Sequence, residues 1–186
     1  FLTVWGLALL PLGLLGLGGV VIYTTWLTHS PRLWRIAPGL GFGTLMVMGT
    51  DFVLSGTYTW AAFFASLVPF FLVSDLLLLN QFPDVEADRS VGRRHYPIVL
   101  GRQTASIVYG AFLALTYLSL ALGVLLRFLP LAALLGLLTI PLAVRTARGA
   151  YRHADDIEQL VPLMGLNVLI TILTPILTAV GLFIAA

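Results

Sequence analysis

"WAAFFASLVPFFLVSDLLLLNQFPDVEADRSVGRR" (residues 60–94) joins twenty residues carrying one charge, Asp75, to a segment crowded with acids and arginines. A bilayer core of roughly 30 Å needs about 20 residues at 1.5 Å each, so the first part reads as a spanning helix. The second part is its polar mouth. The rest of the chain follows the same plan. Its 186 residues are 59% hydrophobic and 10% charged, with a mean hydropathy of +1.01. No soluble domain of this size hides that much apolar surface. The runs are continuous and do not alternate, which argues against membrane-spanning strands. The expectation is an all-α polytopic transmembrane bundle, one domain over 1–186.

Six apolar runs are expected to span, at about 2–27, 37–54, 59–82, 103–126, 129–146 and 159–185. The breaks carry turn chemistry: "THSPR", "SGTYT", the polar mouth, "RFLP" and "RGAYRHADD". The "RFLP" break is so short that its two helices are expected to be antiparallel neighbours. Cysteine is absent, which excludes disulfides and thiolate metal sites. All ten basic residues are arginine, and no basic tract is long enough to suggest nucleic acid.

The arginines set the orientation. Odd-numbered loops hold Arg32, Arg35, Arg89, Arg93, Arg94, Arg102, Arg145, Arg148 and Arg152; even-numbered loops hold Arg127 alone. The positive-inside rule makes the odd loops cytoplasmic. Both ends of the chain then lie outside, and an odd number of upstream spans would bring a longer chain's start to the cytoplasm. The chain begins at Phe1, and its first run lacks the basic flank of a secretory signal. The expectation is a piece of a longer protein of a prokaryotic plasma membrane.

Asn80, Asp84 and Asp88 follow at i, i+4 and i+8. On one helix they share a face, with about 6 Å of rise between successive members. Magnesium prefers oxygen ligands and uses one or two carboxylates together with substrate phosphates. Asp84 and Asp88 are therefore candidate metal ligands. Glu86 falls on the opposite face and suits an arginine partner. Arg89, Arg93 and Arg94 come next, and guanidinium groups grip phosphate oxygens bidentately. Gly92 lets the chain turn there. A solvated charged loop would also explain such a cluster. Three features weigh against it: Asn80 ends an apolar helix, Asp75 lies within the span, and Arg32 and Arg35 add phosphate-binding groups on the same side. An intramembrane carboxylate costs about 2.5–3.5 kcal/mol on insertion scales, so Asp75 should face a cavity or a partner.

"NQFPDVEADRSVGRRHYPIVLGR" (80–102) resembles the second aspartate-rich motif of the UbiA superfamily of intramembrane prenyltransferases. The branch containing 1,4-dihydroxy-2-naphthoate polyprenyltransferase, which makes the menaquinone precursor, is the most similar. Asn80, Asp84, Glu86, Asp88, Arg89, Gly92, Arg93, Arg94, Leu100 and Gly101 match its pattern. "YTTWLTHSPRLWRIAPGLG" (23–41) resembles the family's tyrosine-to-Pro-basic loop through Tyr23, Pro31, Arg32 and Arg35. The resemblance implies spans four to nine of a nine-helix fold, without the segment that carries the family's first aspartate motif. His95 stands where the family more often has Thr or Asn, and Phe42 where this branch often has Glu.

The resemblance implies Mg2+-dependent transfer of a polyprenyl group from its diphosphate to a small, aromatic or lipid acceptor. Asp84 and Asp88 would hold the metal. Asn80, Arg32, Arg35, Arg93 and Arg94 would bind the diphosphate, and Asp75 would do polar work in the cavity. The isoprenoid tail needs an apolar groove open to membrane lipid; Phe63, Phe64, Phe70 and Phe71 are candidates for it, with plain lipid contact as their default reading. Two other readings stand beside it: a cation-coupled transporter using Asp51 and Asp75, and a non-catalytic membrane subunit. A CDP-alcohol phosphotransferase is excluded by the lack of its longer acidic motif.

His29, His95 and His153 lie in three loops without metal-ligand spacing, which favours surface or hydrogen-bonding roles. Tyr151 and Arg152 belong to a loop or lid, Asp155 and Asp156 to a helix cap. "GLGFG" (39–43) lacks the flanks of a phosphate loop and reads as a packing or bending element. Gly13, Gly16, Gly18 and Gly19 suggest close helix packing in the first span. Trp5, Trp26, Trp34 and Trp60 sit near span ends, as an interfacial belt requires.

Overall fold

The structure, a computed structural model, describes residues 10–25 and 36–185. The described residues form helices joined by short turns, without a strand. Helix α1 (Leu10–Thr25) is followed by α2 (Ile36–Gly39), a π-helical turn (Leu40–Leu45) and α3 (Met46–Ser55). Then come α4 (Trp60–Asn80), the short α5 (Val85–Ser90) and α6 (Tyr96–Val99), and α7 (Arg102–Leu125). A 3-10 segment (Leu131–Thr139) leads into α8 (Ile140–Arg152), and α9 (Ile157–Ile184) closes the chain. Among the described residues, five helices are long and apolar enough to cross a membrane: Ala37–Ser55, Trp60–Asn80, Arg102–Leu125, Leu131–Arg152 and Ile157–Ile184. The sixth expected span is described only as the 16-residue α1.

Lipid tails are as apolar as leucine, so burial alone does not drive these helices together; close van der Waals packing does. The sequence meets that need with small residues at the crossings. A Cβ on Gly39 or Gly43 would collide with the backbone of Phe70, so α2 and the π turn lie directly against α4. The "GLGFG" stretch therefore both packs and bends. A Cβ on Gly181 would collide with the carbonyl of Ala132, and one on Gly136 would come 2.9 Å from Leu120 Cδ1. Around these contacts Val68, Leu72, Leu78, Tyr109, Leu113, Leu120, Leu160 and Ile170 form the buried centre between α4, α7 and α9. Leu118, Leu122, Ile172 and Ile176 remain exposed on the outer faces. The glycines of α1 behave otherwise. A Cβ on Gly13, Gly16 or Gly18 would meet nothing within 4 Å among the described residues, and α1 meets them chiefly at the π turn.

Local chemistry sets the helix limits. Thr59 caps α4, its Oγ1 accepting from the Ala62 N–H at 3.1 Å. Asp51 tightens the same turn, its Oδ2 accepting from Thr59 N and Oγ1 at 3.0 and 2.9 Å. Asp156 caps α9 by accepting from Gln159 N. The "RFLP" turn does bring α7 back antiparallel to the 3-10 segment. Phe128 N and Arg127 N bond to Gly123 O and Val124 O, the paired bonds of a left-handed helix stop. Arg127 holds φ 61°, a conformation that suits glycine. Arg127→Gly is therefore expected to stabilise the fold by about 1 kcal/mol. A lowered thermal midpoint would contradict that account of the turn.

The fifth span differs from its expected 129–146. The helix runs on to Arg152, because hydropathy drops at Arg145 while hydrogen bonding does not. At its other end Pro141 lacks the N–H that the Leu137 carbonyl would take. Ile140 N bonds that carbonyl instead, closing the segment with 3-10 geometry.

Buried polar groups stitch the middle of the bundle. Tyr109 Oη donates to Asn167 Oδ1 at 2.8 Å, joining α7 to α9. Thr139 Oγ1 lies 2.7 Å from Thr174 Oγ1 and 3.0 Å from Tyr117 Oη. Interhelical hydrogen bonds in membranes contribute about 0.6 kcal/mol on average and up to about 1.7 kcal/mol. Tyr109→Phe leaves the buried Asn167 amide without this donor and is expected to cost about 1 kcal/mol. Unchanged unfolding in detergent would show that the pair contributes nothing.

Candidate functional site

The polar mouth is an ordered turn between α4 and α7. Helix α4 stops at Asn80, and Gln81 N and Phe82 N bond back to Leu78 O and Leu79 O in tightened turns. Pro83 has no N–H with which to continue the ladder. Asn80, Asp84 and Asp88 therefore do not share one continuous helical face. Asp84 and Asp88 do lie one turn apart, with Asp88 N bonded to Asp84 O at 2.8 Å. Phe82 and Val85 are buried and anchor the segment in the bundle. Arg102 straps it from α7: its Nε donates to Phe82 O at 3.1 Å, and its guanidinium lies 3.8 Å from Asp155.

The two aspartates differ. Asp84 is exposed and makes no side-chain hydrogen bond or ion pair described for this segment. Asp88 is half-buried and held on both oxygens. Arg93 donates to Oδ1 at 2.8 Å, and His95 Nε2 lies 3.0 Å from Oδ2. Gly92, at φ 77°, turns the chain so that Arg93 and His95 double back onto Asp88. His95 is buried with 6% exposure. Burial lowers its pKa below the ordinary histidine value, outweighing the neighbouring Asp88 charge. At neutral pH the contact is thus a neutral N–H donated to a carboxylate rather than an ion pair. Of the roles the sequence left to His95, the hydrogen-bonding one holds.

Glu86 faces away and pairs with Arg89 at 3.3 Å, as its helical position implies; both side chains are exposed, so the pair adds little stability. Arg94 and Asn80 are exposed at the mouth. Arg32 and Arg35, together with Tyr23's loop, His29 and three of the four tryptophans, lie outside the described residues. Asp75 is fully buried within α4. Among the described residues, no group of three or more metal-ligating side chains converges. Two carboxylates one turn apart nevertheless suit a magnesium ion whose remaining ligands are water and phosphate.

Sequence reasoning missed the Arg102 strap and the Tyr109–Asn167 pair. Asn167 in the middle of an apolar run was the available signal, since a lone amide there needs a partner. Phe70, Phe71 and Phe112 form an edge-to-face series, with centroids 5.0 and 5.6 Å apart. Trp60 stands exposed at the start of α4, against Phe63 and Phe128.

Residues 1–169 match the model of the UbiA prenyltransferase family. The chain is 26% identical over 148 residues to 2-carboxy-1,4-naphthoquinone phytyltransferase of Synechocystis, covering 76% of this chain and 48% of that protein. It is 28% identical over 144 residues to 1,4-dihydroxy-2-naphthoate octaprenyltransferase of Escherichia coli, covering 77% and 46%. It is 29% identical over 100 residues to chloroplastic 2-acyl-4-prenylphloroglucinol 6-prenyltransferase of Humulus lupulus, covering 52% and 24%. The chain thus spans about half or less of the length of these curated relatives. No solved structure matches it. With a family match running through most of its length, including the whole polar mouth, the chain belongs to the UbiA prenyltransferase family.

Proposed function

We propose that the protein containing this chain transfers a prenyl group from its diphosphate to a small aromatic acceptor, with Asp84, Asp88, Arg93 and Arg94 receiving the diphosphate. The supporting observation is one assembly: aspartates one turn apart, one exposed and one held by Arg93 and His95, at the end of an apolar bundle. The acceptor is of naphthoate type in this reading, after the names of two relatives.

Asp84 and Asp88 would hold the magnesium ion. When bound, magnesium supplies positive charge against the diphosphate oxygens. The chain's own groups then have separate tasks. His95 and Arg93 fix the Asp88 carboxylate, while each of its oxygens keeps a second lone pair. Arg94 and Asn80 offer donors to the diphosphate at the mouth. In the transfer the allylic C–O bond breaks, and its electron pair leaves with the diphosphate. A ring carbon of the acceptor forms the new C–C bond and later loses its proton. Donors already fixed around the leaving group cost no reorganisation as its charge grows. The apolar face of α4, with Phe70 and Phe71, would carry the isoprenoid tail and keep water from the cation. Asp75 has a structural part here, enclosed against α7.

The transporter reading needs Asp51 and Asp75 on an open path. Asp51 instead tightens a helix turn, and Asp75 is fully enclosed. The discriminating experiment gives the full-length protein in proteoliposomes a labelled prenyl diphosphate, magnesium and 1,4-dihydroxy-2-naphthoate. Prenylated product is expected. Cation uptake without product would sink the proposal.

A further inference from the structure

At the arginine-rich end, helices α8 and α9 part to leave a groove of about 520 Å³ whose lining includes neither Asp84 nor Asp88. Arg145, Arg148 and Arg152 line it from α8, with His153 at the turn and Gln159, Pro162 and Leu163 on α9. Spacings of three and four put the three arginines on one face, over about 10 Å of helix axis. Pro141 and Val144 continue the groove toward the apolar middle of the span. Gly149 lets α9 come close beneath, since a Cβ there would lie 2.5 Å from Leu163 Cδ1.

None of the three arginines has an ion pair among the described residues, and all three are exposed. At the same end Arg89, Arg93 and Arg102 each have a carboxylate. Two acids that follow α8 are already engaged. Asp155 faces Arg102, and Asp156 caps α9. Orientation in the membrane requires only positive charge near the end of a span. It does not require three like charges in a row along an inter-helix groove, where they repel one another until an anion arrives.

We propose that this groove seats the headgroup of an anionic phospholipid. The guanidinium forks would take the phosphate oxygens, and the acyl chains would lie along Val144, Pro141 and Leu163. Charge complementarity and the graded wall, cationic outside and apolar inside, select a phosphate-headed amphiphile. Basic pockets between transmembrane helices are suited to such headgroups. The inference does not rest on the proposed reaction.

The test uses the full-length protein in detergent and measures binding of phosphatidylglycerol and phosphatidylcholine by native mass spectrometry. Preferential, salt-sensitive retention of phosphatidylglycerol is expected. Affinity should fall about fivefold for each arginine replaced, so about a hundredfold in Arg145→Gln/Arg148→Gln/Arg152→Gln. The matching triple lysine variant should bind between the two, because lysine keeps the charge but loses the fork. Equal retention of the two lipids, or full retention by the glutamine variant, overturns the proposal. Should the glutamine variant fail to fold, a photoreactive phosphatidylglycerol on the unmodified protein decides. Adducts on α8 and α9 near Arg148 support the site; adducts confined elsewhere, or a groove closed by another segment of the protein, refute it. Displacement of the lipid by a prenyl diphosphate in the Asp84→Asn/Asp88→Asn variant would assign the groove to the donor instead and equally refute it.

Discussion

Replacing Asp84 by asparagine is expected to lower prenyl transfer by about a thousandfold while leaving stability within about 0.5 kcal/mol. The two halves of that expectation come from different observations. Asp84 is exposed and joins no ion pair described for its segment, so the fold does not depend on its charge. The proposed diphosphate site would, because in that reading the side chain is one of two carboxylates offered to a magnesium diphosphate. Asp88→Asn should also abolish transfer but with a visible structural cost, since Arg93 and His95 are both seated on that carboxylate. Arg93 is exposed and stays solvated, but the buried His95 loses its charged acceptor, which carries the cost. Steady-state transfer with both variants, beside their unfolding curves, separates chemistry from scaffolding. A fully active Asp84→Asn protein would remove that residue from the site. A strongly destabilised one would make its role structural.

Gly181→Leu is expected to cost about 3 kcal/mol or prevent folding altogether, with Gly181→Ala intermediate. The built Cβ of Gly181 meets main-chain atoms of Ala132, and backbone cannot rotate away as a side chain can. Separating α9 from the 3-10 segment would also disturb Thr139 and Thr174, which are hydrogen-bonded across the same seam. In a membrane the lost packing has no compensation from expelled water, because lipid replaces protein against an apolar face. Thermal aggregation in detergent measures the effect. A Gly181→Leu protein as stable as the original would mean that this crossing is looser than the structure shows.

Hydropathy made the spans legible because each apolar run is long, continuous and bounded by turn residues. Where hydropathy and hydrogen bonding part company, the reading failed. Span five continues to Arg152 because arginines ride easily on the last turns of a helix whose ladder is intact. The common face drawn through Asn80, Asp84 and Asp88 assumed an unbroken helix, and Pro83 breaks it. The pairing of Asp88 with His95 was not legible, since it depends on a left-handed turn at Gly92 that brings residues seven apart together. The Tyr109–Asn167 bond crosses 58 positions, beyond any local pattern. Gly13, Gly16 and Gly18 of α1 meet no close neighbour among the described residues, since small residues permit close packing without requiring it.

The central claim is that a diphosphate is held at the α4–α5 turn through carboxylate-bound divalent ions. Its most direct test is 31P relaxation of a non-reactive prenyl thiolodiphosphate bound to the full-length protein, with Mn2+ in place of Mg2+. Strong paramagnetic broadening of both phosphorus signals is predicted, lost in Asp84→Asn/Asp88→Asn. Broadening that survives in that double variant, or binding that is indifferent to the metal, would contradict the account.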